Sequence, residues 1–360
     1  MQRQISLDIF RGLTLAAMLL VNNPGSWSAV YPPLLHAEWH GLTPTDLIFP
    51  FFMFIVGAAL FHSMKNVPAG TIPWAKIAKR TVLLFAIGVA LNEFPFTDPL
   101  SEWRVLGVLQ RIALCYGIAA VLICVLNRSH LLLLSAVILI GYWLILLLVE
   151  NPYSLEGNLV QQWDLALLGA SHLYQGYGVP FEPEGILSTL PGVVSILAGY
   201  FTSEMLAEKP TPEAKIKSLL MWGVGAFIVA LLWQIVFPIN KPLWSSTYVL
   251  ITTAFAWFFL AIIVYLCDVK KVSKGMHWMV VYGSNPLFIY ALSRIFSKTL
   301  SLITWTNDAG QTVSLQKAIY TAFNQFLSPI NASLLYALMI VAIFYVISAW
   351  LYKRKIFIKL

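Results

Sequence analysis

Two histidines and two carboxylates lie within eleven residues, directly before an apolar run. His36, Glu38, His40 and Asp46 all fall in "HAEWHGLTPTD", which is followed by "LIFPFFMFIVG". A neutral imidazole beside a carboxylate can act as a base or a nucleophile near pH 7, and the carboxylate can fix its tautomer. The alternatives are solvated histidines and a helix-start charge at Asp46, and on general grounds these are favoured. No third clustered ligand is near, so we expect no metal site.

The composition is that of a polytopic membrane protein. Of the 360 residues, 59% are hydrophobic and 11% are charged, and the mean hydropathy is +0.77. A soluble chain carries about a quarter charged residues. The net charge of +7 is typical of basic cytoplasmic loops and does not require a nucleic-acid partner. Cys115, Cys124 and Cys267 lie in apolar runs, so we expect core residues without a disulfide.

Ten apolar segments of helix length predict an all-α membrane bundle, with residues 1–360 as a single domain. Basic connections alternate with acidic ones, so the positive-inside rule places both termini in the cytoplasm and His36 outside. For a bacterium this means the inner membrane, with His36 facing the periplasm. Long outer loops are predicted at 150–185 and 298–332, the second with an amphipathic stretch. The predicted spans are Ser6–Asn22, Asp46–Met64, Ile77–Leu91, Val105–Leu126, Leu131–Val149, Ile186–Met205, Ser218–Phe237, Thr247–Cys267, His277–Ser297 and Ser333–Tyr352.

Charged residues within predicted spans are costly unless they are paired or hydrated. Asp8 and Arg11 are three residues apart in the first span, so they share a helix face and could pair. Arg11 equally suits an anionic headgroup or a phosphate. Arg111 lies about two turns into the fourth span, which predicts a buried partner. Asn22 and Asn285 could be helix-packing amides.

A series of motifs resembles the heparan-alpha-glucosaminide N-acetyltransferase family. The likeness runs in order through "SLDIFRG", "HAEWHGLTPTDLIFPFFMFIVG", "GVLQRI", "HLYQ", "EPEGILST", "NKPLWSSTYV" and "GSNPLFIY". The resemblance implies a membrane acyltransferase that moves an acetyl group from cytosolic acetyl-CoA to the amine of a glucosamine-type sugar on the outer side, without a metal. The large luminal N-terminal region of the family's lysosomal member has no counterpart here, so we expect the transmembrane catalytic unit alone.

The resemblance also assigns site residues. His36 takes the position of the active histidine before the family's W-x-G-x-T motif, whereas His40 replaces an asparagine and receives no role. Asp46 matches a motif position and is assigned to catalysis with His36. Glu184 matches the acid of the family's "DPEG", and Glu182 replaces its aspartate with a longer carboxylate. The residues expected to bind substrate are Asn22, Trp39, Arg111, Glu182 and Glu184.

The donor's dimensions predict a funnel. CoA is polyanionic and cannot cross a hydrocarbon core roughly 30 Å thick, but its pantetheine arm reaches roughly 17 Å. We therefore expect entry from the cytoplasm, with Arg11, Arg80 and Asn285 near the nucleotide and His36 at the outer mouth. For Arg80 the alternative is ordinary anchoring at the cytoplasmic face. His36 could remove the amine proton during direct attack, which is slightly favoured, or accept the acetyl group first.

Other functions remain open at this point. An amino-sugar transporter without chemistry suits ten spans and embedded charges equally well. Another possibility is O- or N-acetylation of a different envelope glycan. Release of CoA distinguishes an enzyme from a transporter. The expected partners are an amino-sugar acceptor and membrane lipids, with no nucleic acid, and self-association into a homodimer is left open.

Overall fold

In a computed structural model, the described residues are 5–68, 70–272, 274–307 and 310–358, so the remaining positions of the predicted domain and of its second long loop lie outside them. These residues form thirteen α-helices and a hairpin in which β1 (Thr304–Thr306) pairs antiparallel with β2 (Thr312–Ser314). The predicted all-α membrane bundle is confirmed. The helices are α1 Ile5–Asn22, α2 Ile48–Met64, α3 Trp74–Glu93, α4 Val108–Val125, α5 Arg128–Leu146, α6 Leu159–Leu168, α7 Thr189–Glu208, α8 Pro212–Trp233, α9 Ser246–Val264, α10 His277–Tyr282, α11 Pro286–Leu302, α12 Leu315–Asn324 and α13 Pro329–Lys353.

Eight of the ten predicted spans correspond to helices that are long and apolar enough to cross a membrane, among the residues described. The third predicted span lies within α3, which is a continuous helix of 20 residues. Its first turns carry Lys76, Lys79 and Arg80, and these cations lower its mean hydropathy. The chain is therefore a multi-pass membrane protein.

The ninth predicted span is two helices, so the prediction of one continuous helix at His277–Ser297 was wrong. Helix α10 ends at Tyr282 and α11 begins at Pro286. Proline lacks the backbone N–H that a continuing helix needs, and it disfavours a helical conformation in the residue before it. Asn285 accordingly leaves the helical region, with φ −133° and ψ 53°.

The residues form two compact units along the chain. The first unit contains the described residues within 5–36, 43–48 and 271–358, and therefore α1 and α10 to α13. The second unit contains Ala37–Leu42 and Phe49–Lys270, and therefore nearly all of α2 and the whole of α3 to α9.

Helices α2 and α7 of the second unit pack with their backbones in direct contact. A Cβ added to Gly57 would lie 1.8 Å from the carbonyl oxygen of Ile196. A Cβ added to Gly199 would lie 1.8 Å from the carbonyl oxygen of Phe54. Glycines permit such close approach between membrane helices, so this pair of reciprocal contacts fixes the distance between α2 and α7.

The long loop predicted at 150–185 contains a helix and covers an apolar core. Asn158 caps the start of α6 because its side-chain oxygen accepts a hydrogen bond from the backbone N–H of Gln161 at 2.9 Å. Aromatic rings of Trp39, Tyr153 and Tyr177 pack against a cluster of buried residues, two of which belong to the loop itself. Those buried residues are Tyr142, Leu146, Val160, Phe181, Leu187, Phe237 and Leu243.

Candidate functional site

His36 and Asp46 are in direct contact in the first unit. Nδ1 of His36 lies 2.7 Å from Oδ1 of Asp46. The Asp46 side chain is 1% exposed, whereas the His36 side chain is 50% exposed. Because an ionised carboxylate can only accept, the contact places the imidazole hydrogen on Nδ1 and the ring lone pair on Nε2. The structure therefore brings together the two residues assigned to catalysis.

A tight turn holds Asp46 in place. The backbone N–H of Thr43 donates to Oδ2 of Asp46 at 3.0 Å, and the N–H of Asp46 donates to the carbonyl of Thr43 at 3.0 Å. Pro44 begins this turn, and the Thr45 hydroxyl donates to the carbonyl of Pro33 at 3.1 Å. One carboxylate oxygen thus caps the turn while the other faces His36, so the helix-start interpretation and the partner interpretation both hold.

Trp39 and His40 belong to the second unit and are held by backbone and amide contacts. The indole N–H of Trp39 donates to the carbonyl of Tyr153 at 2.7 Å, and its ring meets Phe181 edge-on at 5.3 Å. The Asn240 side-chain amide donates to the carbonyl of Trp39 at 3.0 Å and to Nδ1 of His40 at 3.2 Å. Burial lowers the pKa of His40, and the amide donor also favours its neutral form. Substrate binding by Trp39 stays a prediction.

Arg104 binds both predicted acidic residues of the second unit. Its Nε and Nη2 donate to the two carboxylate oxygens of Glu182 at 2.9 and 2.6 Å. Nη2 also donates to Glu184 at 2.9 Å. Burial raises the pKa of Glu182, and the hydrogen bond and charge of Arg104 oppose that rise. Burial acts to lower the pKa of Arg104, but both glutamates outweigh it and raise it. The two carboxylates are thus compensated within the protein.

Arg111 binds the backbone of the segment that carries Glu182 and Glu184. Its side chain is fully buried, and Nη2 donates to the Ser188 hydroxyl at 2.6 Å and to the carbonyls of Gly185 and Pro183 at 3.0 and 3.2 Å. Its guanidinium lies 5.1 Å from the ring centre of Trp244. Since α4 begins at Val108, Arg111 is in the first turn rather than two turns deep, which corrects the predicted depth. The predicted buried partner is a set of backbone carbonyls and one hydroxyl.

Asp164 also interacts with the segment that carries Glu182 and Glu184, and we call Arg104, Arg111, Asp164, Glu182 and Glu184 the Arg104 cluster. Its Oδ1 accepts from the backbone N–H of Ile186 at 2.9 Å, and its buried Oδ2 has no hydrogen-bond partner among the described residues. Burial raises the pKa of Asp164 to about 7 and the charge of Glu182 adds to the rise, while the Ile186 N–H and Arg111 oppose it. A carboxyl group with this pKa is partly protonated at neutral pH.

The sequence interpretation did not select Arg104 or Asp164. A signal for Arg104 was present, because it is the only lysine or arginine within residues 23–45, 92–107 and 150–185, which are rich in carboxylates. A lone cation among many acids indicates a specific partner. Asp164 carried no comparable signal, since an acid in a short helix of a long connecting segment is ordinary.

The three residues predicted to bind the donor have different environments. In the first unit, Arg11 donates through Nη2 to Asp8, which confirms the predicted pair. Asn285, also in the first unit, is 1% exposed, and its amide donates to the carbonyl of Ile356 at 2.9 Å and accepts from the N–H of Ile358 at 2.7 Å. Asn285 therefore holds the chain's own C-terminal segment.

Arg80, in the second unit, retains an unused donor. Its guanidinium lies 4.6 Å from the ring centre of Tyr116, and its buried Nε has no acceptor among the described residues. A buried N–H without an acceptor is costly, so this position fits an anionic group. Asn22 ends α1 half-buried, and no described residue forms a hydrogen bond with its side chain. The binding roles of these residues stay predictions.

Comparison with known proteins adds an independent finding. A family model described as "Heparan-alpha-glucosaminide N-acetyltransferase, catalytic" matches residues 3–232, a range that includes the His36 pair and the Arg104 cluster but not Asn285. The heparan-alpha-glucosaminide N-acetyltransferase of Homo sapiens is 30% identical over an alignment of 355 residues including gaps, and the match covers 81% of this chain and 52% of the relative. That of Mus musculus is 29% identical over an alignment of 345 residues including gaps, and the match covers 79% of this chain and 52% of the relative. The chain spans about half the length of these curated relatives. It belongs to the heparan-alpha-glucosaminide N-acetyltransferase family.

Proposed function

We propose that this protein transfers the acetyl group of acetyl-CoA to the amine of a glucosamine-type sugar. The observation that carries the proposal is the 2.7 Å contact between Nδ1 of His36 and the buried carboxylate of Asp46. The names of the relatives specify N-acetyl transfer to a glucosaminide, which supports the donor and acceptor classes. The alternation of basic and acidic connections supports an inner-membrane location with both termini cytoplasmic and His36 on the periplasmic side.

His36 would manage the proton that the reaction releases. Attack by an amine on a thioester forms the amide C–N bond, breaks the C–S bond and releases one proton. Nε2 of His36 would take that proton and return it to the departing sulfur. Asp46 would hold the required tautomer and stabilise the imidazolium, and its burial strengthens that interaction because solvent screens it less.

A covalent route uses the same pair. In that route Nε2 attacks the thioester carbon and takes the acetyl group, and the sugar amine then attacks the acetyl-imidazole. Incubation of the purified protein with labelled acetyl-CoA and no sugar separates the two routes. A stoichiometric acetyl adduct on His36 would eliminate direct transfer, and its absence in a protein active with sugar would eliminate the covalent route.

Arg80 fits the donor's phosphates best among the three residues proposed to bind it. Arg80 has no carboxylate partner among the described residues, whereas Arg11 pairs with Asp8 and Asn285 holds the C-terminal segment. Acetyl-CoA supplies the thioester and its phosphates supply the negative charge. We therefore propose Arg80 as the phosphate contact on the second unit, and the donor-binding roles of Arg11 and Asn285 on the first unit stay separate proposals.

The decisive experiment measures CoA release and N-acetyl product by detergent-purified protein across a panel of amines, with glucosamine first. His36→Ala should lose transfer while still binding CoA. Asp46→Asn should lower kcat by roughly 10²- to 10⁴-fold because it favours the wrong tautomer. His40→Ala serves as the matched control and should stay within a few-fold of wild type. Transfer by His36→Ala near the wild-type rate would refute the proposal.

An amino-sugar transporter is the second candidate, and the break between α10 and α11 favours it. Discontinuous membrane helices line substrate sites in many secondary transporters. Proteoliposomes that take up labelled glucosamine without releasing CoA would support transport alone. Product found only with other envelope amines or hydroxyls would instead support acetylation of a different glycan.

A further inference from the structure

We infer that Arg104, Glu184 and Tyr174 form a binding subsite for an amino sugar on the second unit. In this subsite Glu184 accepts from the sugar's amine or hydroxyl hydrogens and Arg104 donates to its oxygen atoms. The inference rests on the proposed function for the class of acceptor. It assigns a role to Arg104 and Tyr174, and it separates the roles of Glu182 and Glu184.

Glu182 is fully engaged inside the protein. Its side chain is completely buried, and both its carboxylate oxygens accept from Arg104. Oε1 also accepts from the backbone N–H of Glu184 at 3.1 Å. A sugar could reach Glu182 only by breaking these charge-assisted bonds, so Glu182 is a positioning residue.

Arg104 presents its remaining donors in a fixed direction. The N–H groups of Nε and Nη2 bind the two glutamates, while the two N–H groups of Nη1 have no acceptor among the described residues. The side chain is 27% exposed, so these donors can reach a ligand. The ring of Tyr174 lies 4.7 Å from the guanidinium carbon, and the Arg104 backbone N–H donates to Glu93 at 2.9 Å. A guanidinium held on several sides loses little freedom when it binds.

Glu184 provides the complementary acceptor. Its Oε2 accepts from Arg104 at 2.9 Å, whereas no described residue donates to its Oε1, and the side chain is 10% exposed. Exposed Tyr174 adds an aromatic surface beside the charged pair. Carbohydrates suit such a site because their hydroxyl and amine groups both donate and accept, and their ring faces are apolar. A few convergent polar groups beside an aromatic ring are typical of small-molecule sites.

The test measures equilibrium binding of glucosamine to the full chain in detergent, with glucose as the probe that lacks the amine. Arg104→Lys and Glu184→Gln should each weaken glucosamine binding by about 10-fold, since each removes a hydrogen bond to a charged group. The Glu184 change should reduce the preference for glucosamine over glucose. Acetyl-CoA binding should be unchanged in both variants.

Arg128→Lys is the matched control, because Arg128 also faces two glutamates, Glu204 at 3.5 Å and Glu208 at 3.1 Å. It should bind glucosamine as wild type does. Each variant's thermal unfolding is measured as well, so that loss of fold is separated from loss of the subsite. Glu182→Gln should act through Arg104, so Glu182→Gln combined with Arg104→Lys should weaken binding less than the two single changes predict together.

The experiment distinguishes failure of the glucosamine subsite from failure of the proposed acetyl transfer. If no CoA is released but glucosamine binds and the Arg104 and Glu184 variants weaken it, the subsite stands and the proposed acetyl transfer falls. If transfer occurs and neither variant changes glucosamine binding or the acceptor KM in correctly folded protein, the subsite is overturned.

Discussion

Oδ2 of Asp164 lies only 1.9 Å from the place where a Cβ on Gly185 would be. The peptide bond between Gly185 and Ile186 is bound at both of its polar groups. Arg111 donates to the Gly185 carbonyl at 3.0 Å, and Asp164 accepts from the Ile186 N–H at 2.9 Å. Glycine at residue 185 therefore leaves the space that the Asp164 carboxylate occupies beside the segment that carries Glu182 and Glu184.

Gly185→Ala should destabilise the protein by about 1–3 kcal/mol, since the new methyl group forces Asp164 away from a backbone N–H that it satisfies. Thermal unfolding in detergent, followed with a thiol-reactive dye on buried Cys115 and Cys267, measures this loss. Gly141→Ala is the control, because nothing lies within 4 Å of a Cβ at that position. Equal melting temperatures for Gly185→Ala and wild type would contradict the packing argument.

Asp164 should make stability depend on pH. Its folded-state pKa of about 7 lies above the ordinary value of 3.8, so between these values the folded protein holds a proton that the unfolded chain has released. Stability from this group is complete below about pH 4, falls as the pH rises towards 7, and changes no further above that. The total loss is on the order of 4 kcal/mol at most.

Asp164→Asn removes this titration while keeping an oxygen for the Ile186 N–H. The melting temperature of Asp164→Asn relative to wild type should therefore increase steadily between pH 5 and pH 7.5. Glu156→Gln, an exposed change in the same loop, should show no such trend. A difference between Asp164→Asn and wild type that stays constant over this range would show that Asp164 titrates near its ordinary value.

Contacts between residues near in sequence could be predicted, and contacts between distant ones could not. The Asp8–Arg11 pair follows from helical spacing. The assignment of His36 and Asp46 followed from a family motif eleven residues long, in which the intervening proline and threonines build the turn. Arg104 and Glu182 are 78 residues apart, and no local sequence pattern predicts that the segments carrying them are in contact.

Helix continuity shows a second limit of the sequence. The apolar run at 277–297 predicted one span because hydropathy is averaged over a window. Such an average does not change when one residue, here Pro286, lacks the backbone N–H that a continuous helix needs. The dipeptide Asn285-Pro286 was nevertheless a recognised turn signal within that run. The partner of Asn285 could not be predicted, since Ile356 and Ile358 lie beyond the last span in a basic tail.

Asn285→Ala should release the C-terminal segment. The change removes the two hydrogen bonds to Ile356 and Ile358, so cleavage by trypsin at exposed Arg354 and Lys355 should accelerate by about 10-fold. Intact-mass spectrometry of timed digests measures this rate. Asn331→Ala is the matched control, because Asn331 lies at the start of α13 and its side chain accepts a hydrogen bond only from the Tyr31 hydroxyl among the described residues. Equal cleavage rates in Asn285→Ala and wild type would show that the two hydrogen bonds of Asn285 do not restrain the C-terminal segment.

The reciprocal glycine contacts between α2 and α7 give the last prediction. Gly57→Ala and Gly199→Ala each place a methyl group against a backbone carbonyl at 1.8 Å, and a backbone group cannot rotate away as a flexible side chain can. Each change should destabilise the protein by about 1–3 kcal/mol or more, measured as a lower melting temperature. Gly225→Ala in α8 should be nearly neutral, since nothing lies within 4 Å of its Cβ.

The double variant distinguishes a shared spacing from two local clashes. If Gly57 and Gly199 set one distance between α2 and α7, the first methyl group separates the helices and the second meets less resistance. The loss of stability in Gly57→Ala combined with Gly199→Ala should then be smaller than the sum of the single losses by about 0.5–3 kcal/mol. Strictly additive losses would mean that each clash is relieved locally and that the helices keep their spacing.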